Sequence, residues 1–377
     1  MIDALDLSLK LIKFKSITPK SAGSLEYIEK ILKNNKFSCY RLEFGKGKIK
    51  NLYANFKGGN GPNICFAGHT DVVPPGNIKE WKTDPFKPTI KNGKLYGRGA
   101  SDMKTAIASF VIATLNFLEK KKFVFNGTLS FILTADEEGD AEFGTKSVIQ
   151  WLKKKRKKID YCLVGEPTNP KRLGEMIKIG RRGSINFFLE VIGTQGHVAY
   201  PEMAQNPIHK LIQICNILQK PLDNGSKNFQ PSALVITSID VSNNTRNVIP
   251  SKAEMKFNVR FNDNFNSSSV IKLIHKRIKN ITPKYKLSHV ISGESFINSS
   301  EILTKTLIKS IEKVTKVKPI LSTSGGTSDA RFISQLCPVV EFGSVGKTMH
   351  KSNEMVEVKN IEKLTQIYLE FLYLMFK

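Results

Sequence analysis

Three short, largely apolar runs, Asn63–Ala67, Gly127–Ala135 and Tyr161–Val164, each stop at a glycine or an aspartate and are separated by helix-length segments. Runs of this length suit buried strands better than helices. Met103–Lys120 places Ala106, Ile107, Phe110, Val111 and Leu118 on one apolar helical face, and Lys146–Lys153 reads as a further helix. Helical patterns also cover Ile2–Lys13 and Leu25–Asn35. Strand and helix alternating in this way predict an α/β fold, a mostly parallel or mixed sheet flanked by helices on both faces.

The pattern changes after Gly183. Ser184–Val191, Ser232–Asp240, Glu254–Phe261 and Lys286–Ile291 read as strands, with helices at Pro207–Gln219 and Val270–Ile278. The polar stretch Asn262–Ser269 reads as loop. A β-α-β-β-α-β order predicts a small ferredoxin-like α+β domain. The chain of 377 residues is also too long for one ordinary core. We therefore expect a larger domain from 1–180 and 295–377 and an inserted domain at 181–294. Glu301–Thr315 resumes the helical pattern, and a last helix is expected from Ile361.

Acidic and imidazole side chains gather where the apolar runs end. His69 and Asp71 lie in Gly68-His69-Thr70-Asp71, Glu137 and Glu138 in Asp136-Glu137-Glu138-Gly139, and Glu166 in Gly165-Glu166-Pro167. His350 follows Pro338–Phe342, and Asp102 in Gly97-Arg98-Gly99-Ala100-Ser101-Asp102 stands just ahead of a helix. The carboxyl ends of strands form the ligand crevice of open α/β sheets, so these residues can converge. Imidazole and carboxylate are ligands for a pair of zinc-like ions. Glu138 is assigned as a ligand and Glu137 as the general base that handles a water proton. Asp71 is expected to hold the second nitrogen of His69. Asp102 reads either as a bridge between two ions or as the N-cap of the helix at Met103. Taken singly, Glu166 could be a turn residue and His350 a surface histidine. His197, in Gly196-His197-Val198, reads either as a loop histidine or as a donor to a developing oxyanion. Arg181, Arg182, Arg246, Arg260 and Arg331 are planar forks suited to substrate carboxylates.

Charge and cysteine usage narrow the setting. The formal charge is +25, but only 10 of the 58 basic residues are arginine and no aromatic-interleaved basic motif occurs. This argues against a nucleic-acid partner and leaves Lys153–Lys158 as a solvated helix end. Five widely spaced cysteines without a Cys-x-x-Cys pair fit a reducing compartment, hence the cytoplasm, and argue against a thiolate site. The most apolar stretch, Ile107–Leu118, is too short to span a bilayer, so no membrane partner is expected.

Together these motifs resemble the M20 metallopeptidase family. The wider signature is carried by the segments around His69, Asp102, Glu137-Glu138 and His350. Lys178–Ser184, Gln195–Pro201, Ser324–Asp329 and His350–Glu354 resemble its desuccinylase branch. The resemblance implies a zinc-peptidase-like catalytic domain with an inserted ferredoxin-like dimerisation domain. It implies two Zn²⁺ per subunit, with Co²⁺ or Mn²⁺ as substitutes: His69 and Glu166 on one ion, Glu138 and His350 on the other, Asp102 between them. Glu137 would shuttle the proton, and His197 would reach the partner's site in a homodimer. Arg181, Asn247, Arg260 and Thr327 would hold the substrate. The implied reaction is hydrolysis of N-succinyl-LL-2,6-diaminopimelate, a small succinylated diamino acid. Gly346 departs from the family, which usually has Asn there. Acetylornithine or dipeptide hydrolysis, and a non-catalytic binding protein of the same fold, are the competing readings.

Overall fold

The strand Asn63–His69 is buried at every position, which only a central strand covered on both faces allows. It comes from a computed structural model that describes residues 2–377. Two compact units are present, one of residues 2–179, 298–322 and 328–377, the other of residues 180–297 and 323–327.

The larger unit is built on an eight-stranded sheet. Its order is Ser38–Phe44, Ile49–Lys57, Thr128–Thr134, Asn63–His69, Tyr161–Val164, Val339–Glu341, Met176–Lys178, Ile320–Ser322. Asn63–His69 runs parallel to both Thr128–Thr134 and Tyr161–Val164, and Val339–Glu341 runs parallel to Tyr161–Val164. Four neighbouring strands therefore end on one edge. The first two strands pair antiparallel, so the sheet is mixed, as expected.

Alternate residues explain the two layers. Phe66, Leu129, Phe131, Leu133 and Leu163 join one core with the helices Ala4–Ile12, Thr105–Lys120 and Val358–Met375. Phe66 and Phe110 stack at 4.3 Å between ring centroids, and Tyr368 donates its hydroxyl to the Phe342 carbonyl at 2.7 Å. Cys65, Ala67, Ile132, Cys162 and Val164 point to the other face and are buried too. All five cysteines are free, with Cys65, Cys162 and Cys337 buried.

The smaller unit carries the expected β-α-β-β-α-β order. Its sheet is antiparallel, in the order Ala233–Asp240, Lys252–Phe261, Gly183–Ile192, Tyr285–Gly293. Ile185, Phe187, Leu189 and Val191 pack under Leu211 and Ile214 of helix Pro207–Leu218 and Val270 and Ile274 of helix Ser267–Lys279. That helix starts inside the stretch read as loop, because Asn266 and Ser269 form a reciprocal capping box. The last helix starts at Val358, not Ile361. Among the described residues no helix is long and apolar enough to cross a membrane.

Candidate metal centre

Each ligand candidate inherits its place from a strand end. His69 closes its strand, Glu137 and Glu138 follow Thr134, and Glu166 lies two residues past Val164. Parallel pairing puts those three ends side by side. Asp102 reaches the same place by a different route. Gly99 has φ +83°, and a Cβ there would meet Val72 at 2.7 Å, so the turn requires glycine. Asp102 itself has φ −127° and ψ 95°, and the helix begins only at Thr105. The N-cap alternative for Asp102, and a helix starting at Met103, are thereby corrected.

The two Asp102 oxygens face different histidines. Oδ1 lies 3.2 Å from His69 Nε2 and Oδ2 lies 3.3 Å from His350 Nε2. Glu166 Oε1 is 3.8 Å from the same His69 nitrogen, and Glu138 Oε1 is 2.9 Å from the same His350 nitrogen. Two ligand-sized groups result, His69–Asp102–Glu166 and Asp102–Glu138–His350, each with its donor atoms within 4.8 Å of one another. His69, Glu137 and Glu138 also lie together, so proximity alone does not separate base from ligand. Of the two glutamates, Glu138 is the one bonded to His350.

The electrostatics call for cations. Among the described residues no lysine or arginine pairs with Asp102, Glu137, Glu138 or Glu166. Burial, then repulsion from Asp329, Glu138 and Asp102, pushes Glu137 well above the usual carboxylate range. Burial, then Asp102 and Glu137, does the same to Glu166. Burial would raise Asp102, but hydrogen bonds from His350 and His69 hold it low. His350 is raised to about 10 by its hydrogen bonds to Asp102 and then Glu138. Burial would lower His69, yet its bond to Asp102 and the neighbouring glutamates hold it well above its ordinary value. Divalent cations would replace these protons with fixed charge. His350 has φ +60°, a left-handed conformation costly for a non-glycine residue, which fits a side chain aimed for a task.

Asp71 differs from expectation. Its backbone carbonyl, not its carboxylate, accepts the Nδ1 proton of His69 at 2.9 Å, and the nearer carboxylate oxygen is 3.7 Å away. The tautomer is still fixed, with Nε2 left as the donor atom for a cation. The Asp71 carboxylate instead accepts the backbone N–H groups of Glu137 and Glu138, both at 3.1 Å. It shapes the loop that carries them.

The remaining candidates belong to the smaller unit. His197 is exposed, and its Nδ1 accepts the Ala199 N–H at 3.0 Å, which places the proton of the neutral ring on Nε2. The Val198 N–H donates to the Asn247 carbonyl, so His197 and Asn247 are neighbours. Arg181 donates to the carbonyl of Gly326 at 3.1 Å, beside Thr327. Arg260 lies on strand Lys252–Phe261, opposite Ser184.

Three residues were not picked out from the sequence. Glu354 is buried, and its Oε1 accepts the N–H groups of Ser101 at 2.7 Å and Asp102 at 3.0 Å. Its Oε2 accepts from Gly99 at 2.9 Å and from Arg98 Nη1 at 2.8 Å. This carboxylate holds the turn that presents Asp102. The signal was present, since Arg98 and Glu354 sit inside two of the quoted motifs. Asp329, in Thr327-Ser328-Asp329, is buried and adds to the charge felt by Glu137.

Comparison with known proteins identifies the family and the fold. Residues 65–374 match the peptidase family M20/M25/M40. A succinyl-diaminopimelate desuccinylase from Pelagibacter ubique is 52% identical over 374 residues, 97% of each chain. The fold is shared with an M20 family metallo-carboxypeptidase from Sulfolobus solfataricus (TM-score 0.81, 20% identity, 100% of this chain and 99% of that one). It is shared also with a dinuclear metal-binding M20 peptidase from Bacillus subtilis (TM-score 0.72, 17% identity, 99% and 98%). With one family match spanning most of its length and a relative half identical from end to end, this chain belongs to the M20/M25/M40 peptidase family.

Proposed function

We propose that this chain hydrolyses N-succinyl-LL-2,6-diaminopimelate to succinate and LL-2,6-diaminopimelate, a step toward lysine and meso-diaminopimelate. The observation that carries the reading is Asp102, whose two oxygens face His69 and His350 separately, each histidine with its own further carboxylate. The 52% identity to a desuccinylase selects the substrate among the family's amides.

In this reading His69 and Glu166 would hold one ion and Glu138 and His350 the other, with Asp102 offering one oxygen to each set. Two zinc ions, or cobalt or manganese in their place, would act as Lewis acids toward the amide carbonyl and make hydroxide available near neutrality. Glu137 takes the proton of the attacking water and delivers it to the leaving amine. Its raised pKa in the metal-free protein suits a group that must carry a proton. His197 donates its Nε2–H to the oxyanion, and Arg181, Asn247, Arg260 and Thr327 hold the carboxylates and amide. No amide side chain is available at Gly346 for the contact an asparagine would make.

The chain acts as a homodimer through the smaller unit, in the cytoplasm, without nucleic-acid or membrane partners. The exposed Val235 and Ile239 on the edge strand Ala233–Asp240 support that surface, since an uncovered apolar edge invites pairing. The test is an assay of metal-loaded protein on succinyl-diaminopimelate, acetylornithine and dipeptides side by side, with metal counted per chain. The succinylated substrate should be turned over fastest; preference for either other class would overturn the substrate assignment.

A further inference from the structure

A cavity of the larger unit, about 470 Å³, shares no residue with the proposed metal centre. Its floor is apolar, with Leu173, Val356, Ile361 and Leu364 buried beneath it. Its rim carries six basic residues against one acid, Glu357, which is already paired with Lys359 at 3.1 Å. Among the described residues Lys94, Lys171, Lys347 and Lys363 have no carboxylate within ion-pair distance. The helix Val358–Met375 begins at this cavity, and no side chain caps its first turn. The end of helix Glu301–Thr315 also reaches the wall, but the Glu312 and Lys313 carbonyls there already accept from Lys316.

Lysines scattered over this chain are mostly solvated singly. Here they surround a concavity of ligand size and share it with a helix N-terminus whose Val358 N–H donates to the Gly93 carbonyl but whose first turn no side chain caps. We propose that this cavity binds a small phosphorylated metabolite at a site separate from the metal centre. Lysine point charges and helix amides suit phosphate, whereas a carboxylate ligand would favour the arginine forks that are nearly absent, Arg172 being the single one. No aromatic ring lines the cavity, so a nucleobase would find nothing to stack on. A sugar phosphate with two phosphoryl groups fits this lining best.

The experiment is calorimetric titration of the metal-loaded full chain with fructose 1,6-bisphosphate at physiological salt, metal content being counted before and after. One saturable site per chain is expected. Charge reversal in Lys171→Glu/Lys363→Glu should weaken it about tenfold or more, that is by about 1.4 kcal/mol or more. Both lysines are exposed, so the double variant should melt like the parent without ligand. The control Lys153→Glu/Lys154→Glu, outside the cavity, should bind as the parent does. Absence of saturable binding, equal weakening in the control, or citrate binding as tightly as the bisphosphate would each overturn the proposal.

Discussion

Glu137 and Glu138 are adjacent in sequence and nearly equivalent in charge, yet the structure treats them differently. Glu138 bonds to His350, while Glu137 sits among carboxylates that keep it hungry for a proton. Glu137→Ala should therefore keep its metal and lose turnover by about 10²–10⁴-fold, the usual contribution of a positioned general base. Metal analysis beside kcat checks this, and loss of metal with activity would instead make Glu137 a ligand. Glu354 acts one step back, through the turn that presents Asp102. Glu354→Ala leaves the Arg98 guanidinium buried without its carboxylate and three N–H groups without an acceptor. It should cost roughly 3–5 kcal/mol of stability and lower metal occupancy together. Chemical denaturation and metal counting test it, and Glu354→Gln, which keeps one acceptor oxygen, should recover part of both.

Elements whose side chains repeat at a clear period were legible, and those without one were not. Thr105–Lys120 and Asn63–His69 announce themselves through apolar periodicity and length. Ser38–Phe44 and Ile49–Lys57 mix Arg, Glu, Lys and Asn into a sheet edge, and so gave no apolar run to read. The strands Thr89–Lys91, Lys94–Tyr96 and Met355–Glu357 are three residues each and acquire their identity only by pairing. The gathering of His69, Glu137, Glu138 and Glu166 was legible because a parallel sheet brings its carboxyl ends together. The role of the Asp71 carboxylate was not, because a choice between backbone and side-chain acceptor two residues away leaves no trace in composition. The loop 342–350, which follows the strand Val339–Glu341, is tightly packed at Gly346. A Cβ there would stand 2.9 Å from the Pro167 carbonyl, so this loop packs more tightly than an asparagine allows. Gly346→Asn should thus cost about 1–3 kcal/mol by overpacking and bring no gain in kcat/KM. A melting curve and a substrate titration check both halves.

At the scale of the whole molecule, the proposed dimer and the proposed metal centre can be tested separately. Val235→Glu/Ile239→Glu places charge on the exposed edge of the smaller unit and should yield monomers by sedimentation, with metal content unchanged. If His197 serves a partner's site, those monomers should be inactive. Metal removal acts on the larger unit instead. Without cations, Glu137 and Glu166 have folded-state pKa values raised above their unfolded ones. Their folded forms therefore bind extra protons, and the stability this gives is lost as pH rises through the raised values. His69 and His350, also raised, contribute stability that fades on the same upward path. Asp102, held low, works the other way only at acid pH, where its unfolded form would be protonated. Metal-free protein should therefore weaken between pH 6 and about 8, while cations, which compete with protons for the same atoms, bind more tightly over that range. The melting temperature lost to a chelator should be larger at about pH 8 than at pH 6. An equal loss at both would mean that protons and metal do not share these ligands.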